Sequence, residues 1–185
     1  MRVFARSSPT LTYTAVGATG HPDLMQKPPR GFRPDERWGV LGRGDELFER
    51  VADDLLRWGM QRGSGIRVAA RDDAGNAYDP DRRRLRVGDT AVLRIGRWPV
   101  DVPVRVLAVV DEPDRASFTY GTLTGHPESG EELFEVVRDR DGLVRAHLRA
   151  FSRPGRALAW FGYPVLRAVQ EAYSRRYLEA LPLTR

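Results

Sequence analysis

The sequence predicts an α+β fold in which a curved antiparallel sheet grips a long C-terminal helix, with an extended N-terminal arm. The first observation behind this is the order of segments. Between Ile66 and Ser152 one alternating, β-rich stretch follows another, with helical stripes only before and after the run. Strands in succession with helices at the flanks argue α+β rather than alternating α/β. The second is one-sidedness: the longest strands carry their apolar residues on one face, which another element must cover. The third is a C-terminal stripe of about 16 residues, roughly 24 Å long at 1.5 Å per residue, which has the length to do so.

The elements follow in order. Leu11 to Val16 alternates and is β-rich, and Gly17 closes it. From Ala18 to Gly42 the chain carries Pro22, Pro28, Pro29 and Pro34 with several glycines, yet Phe32 and Trp38 give it something to pack with. A stretch this long without periodicity reads as an ordered arm or loop laid on the body. Asp45 to Trp58 reads as a helix with Asp45 as N-cap; Leu47, Phe48, Val51, Leu55 and Trp58 form its stripe and Gly59 stops it.

Strands are expected at Ile66 to Ala70, Thr90 to Ile95, Val100 to Val110, Ala116 to Thr122, Glu131 to Arg138 and Leu143 to Ser152. In the third of these Val100, Val102, Val104, Val106, Ala108 and Val110 share a face, and Pro99 and Pro103 place its start at an edge or bulge. Asp139 to Gly142 is hairpin-turn chemistry. In the last strand Val144, Ala146, Leu148 and Ala150 face a core, while Arg145, His147 and Arg149 face solvent. Ser152 can cap a following helix that breaks near Gly162 to Pro164. Beyond the break Leu166, Val169, Tyr173 and Tyr177 form the stripe that would lie along the sheet.

Composition bounds the function. The 185 residues hold 41% hydrophobic and 30% charged side chains, with a mean hydropathy of -0.47. One domain over 1–185 is expected, soluble and cytoplasmic, with no membrane span and no secretory signal. There is no cysteine, which removes disulfides, thiolate catalysis and Cys-ligated metal. The net charge is +5, almost wholly from arginine, since Lys27 is the sole lysine. Only Arg82, Arg83, Arg84 and Arg86 cluster, beside Asp79, Asp81 and Asp89, so the stripe that nucleic-acid binding requires is missing and no such partner is expected.

The run from Phe118 to Phe134, Phe-Thr-Tyr-Gly-Thr-Leu-Thr-Gly-His-Pro-Glu-Ser-Gly-Glu-Glu-Leu-Phe, carries a further signal. Others are Tyr13 with Val16-Gly17-Ala18-Thr19, Leu41 to Gly44, Pro103 to Val106, Ala150 to Pro154, and Arg176-Tyr177-Leu178. Together they resemble uncharacterised protein family 0548, a bacterial and plant domain-of-unknown-function family, over about residues 11–181. The resemblance implies a fold related to the Bet v 1-like and START-like helix-grip group. The family has no established reaction, so the resemblance supplies no substrate and no catalytic residue.

Titratable groups crowd only in Gly125 to Glu132. A histidine beside carboxylates suits acid–base work, although Gly, Pro and Ser also make this segment a plain hairpin loop. Glu132 and Phe134 share one side of the next strand, so one carboxyl can point inward. His21, His126 and His147 lack metal-ligand spacing, so no metal is expected, and no cofactor motif occurs. The expected function is non-catalytic binding of a small apolar or amphipathic ligand between sheet and terminal helix. Trp58, Phe118, Tyr120, His126, Glu132, Phe134, Trp160 and Tyr163 are the residues expected near it, in a monomer or homodimer. One alternative is an enzyme using His126 and Glu132 as acid–base groups. The other is a structural or interaction protein with a filled core and the Trp38 arm as contact surface.

Overall fold

The alternation between Ile66 and Pro154 becomes seven strands in the computed structural model, which describes residues 10–95 and 101–155. An eighth strand precedes them. The elements are β1 (Arg33–Arg43), α1 (Asp45–Leu55), α2 (Gly59–Gly63), β2 (Ile66–Arg71), β3 (Ala77–Tyr78), β4 (Thr90–Ile95), β5 (Asp101–Glu112), β6 (Arg115–Thr122), β7 (Glu128–Arg138) and β8 (Leu143–Pro154). All pairings are antiparallel, and the single sheet runs β1-β8-β7-β6-β5-β4-β2-β3.

This order corrects the expected cover of the sheet. The described fold is not a sheet gripping a long C-terminal helix: its helical cover is the two short helices α1 and α2. The reason is topological. β1 lies at one edge beside β8, while β2 lies near the other edge, so the connection between them must cross the sheet. That connection is α1–α2, and it lays its apolar stripe on β6 and β7 as it crosses. Trp160, Tyr163 and the stripe Leu166, Val169, Tyr173 and Tyr177 lie outside the described residues.

α1 is built as its periodicity requires. Leu47, Phe48, Val51, Ala52 and Leu55 are buried, and Asp45 and Glu46 sit in the first turn, where negative charge suits the helix dipole. Gly44, rather than Asp45, is the N-cap residue. The helix ends at Leu55 instead of running to Trp58. Trp58 itself adopts a left-handed conformation (φ 63°), which turns the chain into α2. The stripe packs into one large core with Leu93, Val104, Val106, Phe118, Phe134, Val136, Val144 and Leu148 from the sheet.

Three further expectations change. Leu11 to Val16 is not a strand; among the described residues it makes one bridge, Leu11 to Leu123. Its alternation is real, since Tyr13 is buried and Thr14 exposed. After the backbone bonds Thr12 N–H to Thr122 O and Thr124 N–H to Thr10 O at its start, however, it crosses the back of the sheet without continuing a ladder. β1 occupies part of the stretch read as an arm, paired with β8 from Arg33↔Ser152 to Arg43↔Leu143. In β5 a bulge between Val106 and Ala108 shifts the register. Leu107 faces the back by alternation, and after the bulge Ala108, paired with Thr119, does so too, while Val109 pairs with Phe118 and packs on the main core. The row therefore does not keep one face beyond Val106; Val100 lies outside the described residues.

The back face is not plain solvent either. Tyr13, Leu24 and Phe151 form a second buried cluster there, with Leu11, Ala15, Ala18, Phe32 and Leu107 against it. His147 and Arg149 are buried on the same face. Leu55 is fully buried beneath α1 (0% exposed), so Leu55→Ala should cost about 2–5 kcal/mol. Urea denaturation checks this; an unchanged midpoint would place the stripe elsewhere.

Candidate functional site

β7 carries the chemistry of both faces, because successive residues of a strand point to opposite sides. Phe134 lies opposite Phe118, and Glu132 opposite Tyr120, all on the helix-facing side. There the rings close on one another. Trp58 meets Phe118 edge-on at 5.3 Å, Phe118 stacks on Phe134 at 5.0 Å, and Tyr120 lies 5.2 Å from Phe134. The Tyr120 hydroxyl donates to Glu132 Oε2 at 2.7 Å. Five of the expected residues thus come together: Trp58, Phe118, Tyr120, Glu132 and Phe134. Trp58, Phe118 and Phe134 are wholly enclosed, whereas Glu132 stays partly exposed at the rim.

Glu128, on the same face at the start of β7, joins this rim. Burial pushes the Glu128 carboxyl up to about 7, helped by the charge of Glu132. Burial likewise raises Glu132 to about 7; the Tyr120 bond and Arg37 work against this, and Asp35 adds to it. His126 holds the turn before β7. Its Nδ1 accepts the Glu128 backbone N–H at 2.9 Å, and the His126 backbone N–H donates to the Leu123 carbonyl at 2.9 Å. Burial lowers the imidazole to about 4, so at neutral pH the ring is neutral with one nitrogen already occupied.

The back face holds what sequence reasoning missed. Glu131, only 3% exposed, accepts hydrogen bonds from the Tyr13 hydroxyl (2.8 Å), the Gly17 N–H (2.8 Å), the Thr19 N–H (3.1 Å) and the Thr19 hydroxyl. Burial, together with Glu131, pushes the Tyr13 phenol well above its ordinary range. Gly17 takes φ 84° to present its N–H. Gly121 leaves room for the Tyr13 hydroxyl, which a Cβ at that position would strike. The signal was present in the sequence as two separated pieces of one family pattern, Tyr13 to Thr19 and Gly121 to Glu132.

A second polar cluster lies nearby on this face. His147 sits between Glu135 Oε2 and Glu36 Oε1, each at 2.9 Å, and Trp38 stacks on its ring at 3.7 Å. Arg115 donates to Glu135 at 2.6 Å, and its bond with that of His147 holds the Glu135 carboxyl below its ordinary range against burial. Trp38, placed in the arm by sequence, is a β1 residue that is 52% exposed. A cleft of about 290 Å³ opens along the chain before β1, lined by Ala15, Ala18, Leu24 and Pro29 among others. Among the described residues no group of His, Asp and Glu takes a metal-holding form, and no helix is long and apolar enough to cross a membrane. In the arginine cluster Arg83 pairs with Asp89, Arg84 with Asp53 and Asp111, and Arg82 with Asp79.

Comparison with known proteins fits this geometry. The model of a domain of unknown function, DUF1990, matches residues 12–180, a span that includes both halves of the Glu131 network. The chain belongs to this family. A UPF0548 protein of Arabidopsis thaliana is 36% identical over 158 residues, covering 82% of this chain and 72% of that protein. A UPF0548 protein of Deinococcus radiodurans is 46% identical over 77 residues, which span 42% of this chain and 39% of the relative. One from Dictyostelium discoideum is 34% identical across 72% of this chain and 63% of its own length. Among solved structures, a hypothetical protein of Helicobacter pylori aligns with a TM-score of 0.55 at 12% identity, covering 98% of this chain and 96% of that one. A conserved protein of Geobacillus kaustophilus aligns with a TM-score of 0.51 at 12% identity, over 80% and 91%. These two likenesses are of fold.

Two measurements test the Glu131 network and the rim. Tyr13→Phe strips one donor from buried Glu131 and should cost about 1–3 kcal/mol; a denaturation midpoint equal to wild type would remove Tyr13 from the anchor. Glu128 and Glu132 hold protons more tightly folded (about 7) than unfolded (4.5), so their contribution to stability is full below the unfolded value and is lost as pH rises through about 7. His126, lowered from 6.5 to about 4, has the opposite sign: its contribution is lost as pH falls from 6.5 toward 4. Glu132→Gln should therefore flatten the decline in stability between pH 5 and 7 and leave the variant more stable than wild type at pH 8. Parallel stability–pH curves for the two proteins would mean that Glu132 titrates as an ordinary surface carboxyl.

Proposed function

We propose that this chain is a non-catalytic binder of a small amphipathic molecule, whose polar head meets Glu132, Tyr120 and Glu128 at the rim of the aromatic cluster. The observation that carries the reading is Glu132 itself. It is a carboxyl group with two acceptor oxygens, held rigidly over packed rings, and among the described residues its hydrogen-bond donor is Tyr120, to one oxygen. A head that is cationic or rich in donors would complete it, and burial makes such a bond stronger than it would be in water. The enclosed rings of Trp58, Phe118 and Phe134 act as a floor that fixes the pair. The binding reading is favoured over acid–base catalysis because the His126 Nδ1 is occupied by backbone.

Titration with decylamine, decanoate and decanol, followed by thermal unfolding, tests this. Decylamine should stabilise the protein most, and increasingly from pH 6 to 8 as the carboxyls ionise. Glu132→Gln should weaken its binding roughly tenfold or more, the worth of a hydrogen bond to a charged group. Equal responses to all three compounds would sink the polar head site. Conversion of any bound compound to product, abolished in Glu132→Gln, would replace the binder with an acid–base enzyme.

A further inference from the structure

The second turn of helix after β1 contains a cost that the fold does not explain. Gln61, in the middle of α2, is fully buried (0% exposed), and among the described residues neither its Nε2 nor its Oε1 has a hydrogen-bond partner. A glutamine amide offers two donors and two acceptor lone pairs, and burying it unpaired incurs the full desolvation penalty of the group. Among the described residues the two other buried atoms in the same condition are the Nε atoms of Arg57 and Arg149. Each of those faces a carboxylate in an ion pair, Asp53 at 3.2 Å and Glu36 at 3.5 Å. Gln61 has no such compensation.

A second, independent cost sits three residues earlier. Trp58 is left-handed (φ 63°, ψ 25°), and no other non-glycine among the described residues has a positive φ. A bulky residue holds that conformation only where its surroundings impose it. The surroundings do so here: the indole Nε1–H donates to the Tyr78 hydroxyl at 3.2 Å, and the ring packs on Phe118. The elbow between α1 and α2 is pinned on its neighbours, and it delivers Gln61 inward with its amide bare. Leucine or methionine would fill a similar volume there without the penalty. Strain and an orphaned polar group within four residues mark a site that serves recognition rather than packing.

We infer that the elbow is a binding site for a neutral, planar head that has a donor and an acceptor side by side, a carboxamide or lactam, recognised by the Gln61 amide. The chemistry follows from the group. Gln61 presents N–H and C=O side by side, and a carboxamide or lactam answers both at once with two antiparallel hydrogen bonds. Trp58 and Met60, three residues and one residue before Gln61, are apolar and fully buried, and Arg62, which follows it, is already paired with Asp54 and Asp81. A charged head would find no unpaired counter-charge among these residues. This site uses neither Glu128 nor Glu132, so it stands or falls separately from the rim site.

The test uses hexanamide and δ-valerolactam as probes and N,N-dimethylhexanamide, which accepts but cannot donate, as control. Binding is read from the Gln61 side-chain NH2 signals in ¹H–¹⁵N spectra of the full chain and from thermal unfolding. Wild type should bind hexanamide and the lactam saturably, with the Gln61 NH2 signals moving, and should ignore the dimethyl compound. Gln61→Leu and Gln61→Met, freed of the orphan amide, should unfold at a higher temperature than wild type and bind the probes at least tenfold more weakly. Three results would overturn the inference: no saturable binding by wild type, equal binding by the variants, or a lower unfolding temperature in both variants. The last would show that the amide is satisfied by buried water and belongs to the scaffold.

Discussion

Glu131 takes four hydrogen bonds from Tyr13, Gly17 and Thr19 on the sheet face away from the helices, and the placement of the described chain before β1 depends on that junction. The segment from Tyr13 to Thr19 makes no ladder with a neighbouring strand, so its buried backbone N–H groups need partners from a side chain. Glu131 supplies them. With the segment held, Tyr13 and Phe32 each meet the Phe151 ring edge-on, at 5.5 and 5.2 Å, and Leu24 is buried beside them. The chain then enters β1 already aligned along β8. From that edge position Glu36 and Trp38 reach His147, and α1 starts at the point from which it must cross the sheet.

β7 therefore joins two different constructions through one alternating strand. Its even-numbered residues carry the aromatic floor and the rim carboxyls, under α1. Its odd-numbered residues carry Glu131 and Glu135, which tie down the chain before β1 and the β1 edge itself. A slip of one residue in its register would exchange the two sets and destroy both. The eleven continuous pairs between β7 and β8, from Glu128↔Pro154 to Arg138↔Val144, and the Tyr120–Glu132 and Phe118–Phe134 pairs with β6 hold that register.

How much of this was legible depended on whether the signal was local. The strands from Thr90 onward and the α1 stripe were readable because periodicity is a property of neighbouring residues. The joining of Trp58, Phe118, Tyr120 and Phe134 followed from the same patterns. β1 was not readable: its Asp35, Glu36 and Arg37 suit an exposed edge strand, and only pairing with β8, more than a hundred residues later, makes it one. The β5 bulge left no mark in an unbroken valine alternation, and the sheet's helical cover was assigned to the end of the chain because the longer stripe lies there. Leu11 to Val16 had the right alternation and the wrong conclusion, since alternation records which side is buried and not whether a neighbour is present.

The consecutive carboxyls Glu131 and Glu132 show what the environment adds to the residue type. Both lie on β7, and both are removed from bulk water to a large degree. Glu131 is saturated with donors from its own chain, and its role is to hold that chain in place. Glu132 faces the acidic neighbours Glu128 and Asp35 and among the described residues receives one hydrogen bond, from Tyr120, so burial and these charges favour its protonated form. The segment before β1 shows, one residue away, what convergent donors mounted on an apolar body do for a carboxyl on this strand: they take up both oxygens of Glu131, whereas among the described residues Glu132 meets the single hydroxyl of Tyr120.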